Sequence, residues 1–248
     1  MILRQLFDSE SSTFTYLLGD ESSHEAVLID AVKEKIDRDL ALIRELDLRL
    51  THVLDTHVHA DHVTAAGLLA ARTGAISVTG RLGAGCAGIQ VGAGDRVRFG
   101  RLDLTVLETP GHTDDSLSFS APGHVFTGDA LLIRGCGRTD FQNGDPRTLY
   151  RSVTELLFAL PDETLVHPAH DYKGMTVSTI GEEKRWNPRL AGRSVEEFAD
   201  IMRNLNLGLP AKIMEAIPAN RACGLSAVTS PWGCSQGGSP ERGWPSRG

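Results

Sequence analysis

A chain of 248 residues that is 41% hydrophobic can bury a large core as one α/β domain, and its formal charge of −7 argues against a nucleic-acid or anionic-membrane surface. No apolar run approaches the roughly eighteen residues of a membrane helix, and the N-terminus MILRQLFDSESSTFTYLLGD carries neither a secretory nor a transit pattern. Cys86, Cys136, Cys223 and Cys234 are widely spaced without a C-x-x-C, so neither a disulfide framework nor a thiolate zinc site is predicted and a reduced, cytoplasmic setting is the default.

MILRQLF, STFTYLLGD and EAVLIDA are short, rich in apolar and β-branched residues and separated by turn residues, which predicts an antiparallel meander. In EKIDRDLALIRELDL the apolar Ile36, Leu40, Ile43 and Leu46 recur at spacings of four and three, so a helix with one buried stripe follows. THVLDT reads as a short buried strand. Just beyond it comes THVHADH, and then a helix over VTAAGLLAARTG that Asp61 is placed to cap and Gly74 to end. The second half repeats the plan, with RVRFGRLDLTVLETPGHT, SLSFSA and HVFTGDALL as strands, a helix from about Asp145 to Leu160 and a strand TLVHPAH. This alternation predicts an αββα sandwich, two mixed β-sheets face to face with helices outside. One domain is expected over residues 1–225, and the Gly/Ser/Pro-rich 226–248 is expected to be a disordered tail.

The chemistry starts at THVHADH. His57, His59, Asp61 and His62 form H-x-H-x-D-H in a chain with only nine histidines, a density that points to a metal rather than to isolated surface or core histidines. His112 in TPGHT, Asp129 in TGDALL and His170 in PAHDY each follow a strand-like run, so all are placed to converge on one edge of the sheets. By ligand inventory alone, His57, His59 and His112 with Asp129 would hold one metal, and Asp61, His62 and His170 with Asp129 a second. A dinuclear site would activate hydroxide for hydrolysis.

The order H-x-H-x-D-H, G-H-T, G-D and A-H-D resembles the metallo-β-lactamase superfamily. The segments TGDALLIRGCGRTDFQNG, PAHDYKGMTVSTIGEEKRWNPRL and EEFADIMRNLNLGLPAKIMEAIPANRACG are similar to the persulfide dioxygenases within it, and the likeness covers nearly all of residues 1–225. That resemblance implies a non-haem Fe(II) enzyme with one iron per chain, oxidising glutathione persulfide with O2 and water to sulfite and glutathione in sulfide catabolism. It further implies that His57, His112 and Asp129 are the catalytic iron ligands. Such a 2-His-1-carboxylate set leaves positions open for substrate and O2. His59, Asp61, His62 and His170 then orient ligands through hydrogen bonds. A homodimer and a functional link to a rhodanese or sulfide-oxidising enzyme are implied as well. The alternative is a glyoxalase II-like dinuclear thiolester hydrolase, and a persulfide-trafficking protein would use the same ligands without turnover.

Glutathione persulfide is anionic, so Arg138 and Tyr172 are candidate substrate-binding residues, with Lys173 and Arg185 behind them. An internal ion pair of Arg138 with Asp140 is the competing reading. Cys136 reads as a core cysteine. The chain departs from the family at PGHTDDSLSF, where Asp115 and Ser116 replace a more usual glycine and cysteine, and the added charge is expected to oppose an anionic thiol.

Overall fold

The meander forms as predicted: β1 (Ile2–Asp8), β2 (Thr13–Asp20) and β3 (Glu25–Ile29) pair antiparallel in succession. In this computed structural model, residues 1–225 are described, and the predicted tail at 226–248 lies outside the described residues. Helix α1 (Ile36–Glu45) crosses to β4 (Arg49–Leu54), and α2 (Ala66–Thr73) crosses to β5 (Ile76–Gly80). Both strands, and β6 (Ile89–Val91) after them, join in parallel register. The first sheet therefore runs β1-β2-β3-β4-β5-β6.

The predicted 96–113 strand breaks into a hairpin, β7 (Arg96–Phe99) and β8 (Leu102–Glu108), because the chain turns at Gly100 and Arg101. TPGHT is loop rather than strand. β9 (Leu117–Ala121) and β10 (His124–Gly128) extend this sheet. Asp145 caps α3 (Pro146–Arg151), which continues through a π-helical turn at Ser152–Leu157 into the connection to β11 (Leu165–Pro168). Strand β12 (Ser178–Thr179) closes the edge, and the second sheet runs β12-β11-β10-β9-β8-β7. Three helices complete the described residues: α4 (Ile180–Trp186), α5 (Val195–Arg203), whose start is closed by a Ser194–Glu197 capping box, and α6 (Ile213–Arg221).

Tyr16, Leu18, Val27, Ile29 and Leu54 of the first sheet pack on Leu104, Val106, Phe119 and Phe126 of the second. The outer face of the first sheet is covered through Ile36, Ile43 and Leu69, that of the second through Leu149, Val153, Ile180 and Phe198. This is the expected αββα order. Each fully buried Leu or Phe contributes about 1.5–3 kcal/mol, so these layers dominate stability.

One expectation is corrected. Cys86 and Cys223 form a disulfide across 137 residues of sequence, and only Cys136 is free among the described residues. A loop of that length carries about 5 kcal/mol in the chain-entropy account of cross-links. The local spacing rules look for neighbouring cysteines and do not see such a pair.

His167 on β11 is buried, stacks at 4.8 Å on Phe126 and meets His124 through Nε2 and Nδ1 at 2.9 Å. Burial, and then the neighbouring His124, pushes its imidazole down to about 4. The folded value lies below the unfolded one near 6.5, so the contribution is complete above 6.5 and is lost as pH falls towards 4. The stability advantage of the wild type over His167→Gln should shrink by on the order of 3 kcal/mol between pH 7 and 4 in urea titrations. A constant difference across that range would overturn the assignment.

Candidate metal centre

Four strand ends deliver the site. The loop after β4 carries His57, His59, Asp61 and His62. The loop after β8 carries His112, Asp129 follows β10 directly, and His170 lies two residues past β11. The sequence-predicted residues do converge on one edge. One donor atom each from His57, His112 and Asp129 lie within 4.8 Å of one another, with His112 Nε2 at 3.3 Å from Asp129 Oδ2.

Each imidazole is turned by a hydrogen bond on its far side. His112 Nδ1–H donates to the Arg138 carbonyl at 2.6 Å. His57 Nδ1–H donates to Thr56 Oγ1 at 2.9 Å, and that hydroxyl donates to Asp30 Oδ2 at 3.0 Å. His170 Nδ1–H donates to the Ser12 carbonyl at 3.1 Å. In His57 and His112, Nε2 is left as a lone pair facing inward, the arrangement a metal-binding imidazole requires. Gly137 lets this pack, since a Cβ there would stand 2.7 Å from His112 Nδ1 and 2.6 Å from the Asp129 carbonyl.

The remaining cluster residues sit around this trio. His59 Nε2 pairs with Asp30 Oδ1 at 3.1 Å, and His62 Nδ1 with Asp61 Oδ2 at 2.8 Å. His170 Nε2 lies 3.6 Å from Asp129 Oδ1 and 3.7 Å from Asp61 Oδ2. Asp61 does not cap α2: its carboxylate accepts from Thr13 Oγ1, and Thr64 Oγ1 is what accepts from the Ala66 amide near that helix start. His59 Nδ1, His62 Nε2 and Asp129 Oδ1 are buried without any hydrogen-bond partner. Uncompensated buried polar atoms are costly, and three of them in one cluster fit a cation.

Burial, reinforced by His59 and His112, drives the His57 imidazole well below its ordinary value, so it is neutral and ready to ligate. Burial opposes protonation of His59 too, but the Asp30 carboxylate overrides it and pushes His59 up to about 10. Burial tends to raise Asp61, but His62 and His170 overcome it and hold the carboxyl well below its usual range. Burial raises Asp55 to about 7.

Asp30 belongs to no motif in the sequence. It is buried, takes a left-handed backbone at φ 52°, and accepts from the Thr56 amide at 2.8 Å besides Thr56 Oγ1 and His59. The one signal for it is an aspartate ending the apolar run EAVLID, a place where a buried carboxylate needs partners.

Above the trio opens a cavity of about 540 Å³ walled by Leu132, Ile133, Arg138, Phe141, Tyr172 and Lys173 among others. Tyr172 stacks on His170 at 5.6 Å between centroids. Arg138 lines the cavity, but its fork is engaged: Nε and Nη2 donate to Asp140 at 2.7 Å each and Nη1 to the Gly208 carbonyl at 2.6 Å. The internal pair with Asp140, the competing reading, is present, and it holds the guanidinium against the 207–208 wall. Arg185 does not line this cavity. Asp115 is also corrected: its Oδ2 accepts from the Val58 amide at 2.8 Å and it is buried, so the charge serves the histidine loop instead of opposing a ligand. Cys136 is a buried core cysteine, as expected.

The family model of the metallo-beta-lactamase superfamily matches residues 9–84 and 87–170. The human mitochondrial persulfide dioxygenase ETHE1 is 53% identical over 233 residues, 93% of this chain and 91% of that protein. The crystal structure of ETHE1 from Myxococcus xanthus superposes with a TM-score of 0.90 at 64% identity, covering 91% of this chain and all of that one. A hydroxyacylglutathione hydrolase of Cereibacter sphaeroides is 36% identical, with 85% of this chain and 82% of that protein covered.

Asp30 holds two members of the loop in place without reaching the trio. Asp30→Asn, which keeps the volume but loses acceptors, should weaken divalent-metal affinity about 10- to 100-fold in a chelator competition. Unchanged affinity would show that the loop holds its shape without it.

Proposed function

The chain belongs to the metallo-beta-lactamase superfamily and, within it, to the persulfide dioxygenases, and on that premise we propose that it oxidises glutathione persulfide with O2 and water to glutathione and sulfite. The observation that carries the reading is the trio of two histidines and one aspartate below a walled cavity, in a chain more than half identical to a persulfide dioxygenase. In this reading residues 1–225 form one domain that carries the whole site.

His57 and His112, through Nε2, and Asp129 would hold a single Fe(II), and the unpartnered Asp129 Oδ1 supports that fit. Iron bound there would relay to O2 the electrons that the persulfide sulfur gives up, which zinc, lacking an accessible redox change, would not. The protein's own part is positional. Thr56 and the Arg138 carbonyl fix the two imidazole planes. His170 Nε2 faces Asp129 and Asp61 and is placed to hold a proton between them. Leu132, Ile133 and Phe141 give the cavity its apolar wall. The anionic glutathionyl part lies towards Tyr172 and Lys173, with Arg138 shaping the wall.

The dinuclear hydrolase reading needs His59 and His62 as ligands. Their unpartnered Nδ1 and Nε2, each on a ring held through its other nitrogen by a carboxylate, are its support, and the higher identity to a persulfide dioxygenase than to a hydroxyacylglutathione hydrolase weighs against it. A homodimer, a cytoplasmic location and supply of the persulfide by a rhodanese or sulfide-oxidising enzyme belong to the same proposal. The mammalian relatives are named as mitochondrial, and among the described residues no helix is long and apolar enough to cross a membrane.

Oxygen-electrode traces should show uptake on adding glutathione persulfide to iron-loaded protein, with sulfite as product, and none with zinc-loaded protein. Absence of uptake with either metal, together with thiolester hydrolysis, would replace the dioxygenase by the hydrolase. Lys173→Ala, which removes an ammonium at the cavity with no ion pair among the described residues, should raise KM about five- to tenfold while bound iron and kcat stay unchanged. Loss of iron instead would move Lys173 out of substrate binding.

A further inference from the structure

The last described helix reaches back under the histidine loop. Asn220 of α6 is buried and makes three hydrogen bonds: its Nδ2 donates to the carbonyls of His59 at 2.9 Å and His62 at 2.8 Å, and its Oδ1 accepts from the Thr64 amide at 2.8 Å. One side chain thereby fixes both ends of the segment carrying His59, Asp61 and His62.

Besides an ion pair of Lys212 at its start with Glu10, little else holds α6 there. Ala216 and Asn220 are its only buried residues, and Met214 is 87% exposed. Apolar burial is therefore a weak anchor for this helix. Immediately beyond it, Cys223 is bonded to Cys86 in the loop after β5, and the Cys223 carbonyl accepts from the Gly67 amide at 3.0 Å. Gly67 permits that seat, since a Cβ there would lie 2.4 Å from the Cys223 carbonyl oxygen. Cys86 itself is exposed and Cys223 is buried, so a reductant has one side of the bond to approach from.

We propose that Asn220 is a positioning residue for the metal loop and that the Cys86–Cys223 disulfide holds it in place, so that the grip of the loop on its metal depends on the redox state of that bond. The inference rests on the metal-site part of the proposed function and is independent of the substrate. Reduction by a phosphine converts the S–S bond to two thiols, with water supplying the oxygen of the phosphine oxide and the two protons. The tether is then lost while every side chain of the site remains.

The test follows metal transfer from loaded protein to a chromophoric chelator, alongside the visible spectrum of the Co(II)-substituted protein. Asn220→Asp keeps the volume and the acceptor for Thr64 but loses both donors, so a purely space-filling role would leave release at the wild-type rate. We expect at least about tenfold faster release and an altered Co(II) spectrum in Asn220→Asp, in Cys86→Ser and in phosphine-treated wild type. Adding Cys86→Ser to Asn220→Asp should add less than about twofold, because both act through one contact. Wild-type release in Asn220→Asp, or multiplication of the two effects in the double variant, would overturn the proposal. Cys86→Ser breaks the tether and leaves Asn220 and every residue of the metal loop in place, so it tests the tether even where Asn220→Asp folds poorly. Oxygen uptake plays no part in these readings, so failure here and failure of the dioxygenase assignment are separable.

Discussion

The structure turns on a buried stretch of irregular backbone that must be satisfied without a ladder. Residues 55–64 run between β4 and α2, and their amides and carbonyls have no regular partners, yet most of the segment is buried. Side chains supply the missing partners. Asp30 accepts from the Thr56 amide and Asp115 from the Val58 amide, Gln142 donates to the Val58 carbonyl, and Asn220 serves His59, His62 and Thr64. Backbone bonds from Leu117 to Thr56 and from Lys33 to Val63 close the ends. The loop is therefore held in one conformation, which lets the protein place donor atoms with no space to relax.

Those supports come from both sheets and from the last described helix. Asp30 follows β3, Asp115 precedes β9, Gln142 precedes α3 and Asn220 belongs to α6. Closing the sandwich is what assembles them. Packing of Leu54 and Ile29 against Phe119 and Phe126 and fixing of the metal loop are accordingly one event.

How much of this is legible in the sequence depends on the distance over which each feature is encoded. THVHADH is a local pattern and is readable, as are the strand ends that bring His112, Asp129 and His170 to it. The meander, α1, α2 and the layered plan follow from period-two and period-3.6 patterning. Asn220 contacts carbonyls 161 and 158 residues away, and Cys86 meets Cys223 across 137. Nothing in a window of about ten or twenty residues distinguishes such side chains from surface polar groups. β6, with three residues, and α4, with seven, are too short for periodicity to register. Arg138 shows the converse limit: residue type and position suggest a clamp, and only the placement of Asp140 and Gly208 reveals that its donors are engaged.

The carboxylates nearby divide a ligand inventory that fits two metals. His59 is held to Asp30 through Nε2, which leaves its Nδ1 buried without a partner beside Asp61 and His62. Asp61 and His62 answer each other's charge. His57 has no carboxylate hydrogen-bonded to its ring and is driven neutral by burial, while Asp129 keeps a buried oxygen without a hydrogen-bond partner. Buried atoms without partners thus lie on both halves of the cluster, at Asp129 and at His59 and His62. A buried Asp30, 26 residues before Thr56 and outside the histidine motif, therefore sets how both His57, through Thr56, and His59 present their free nitrogens.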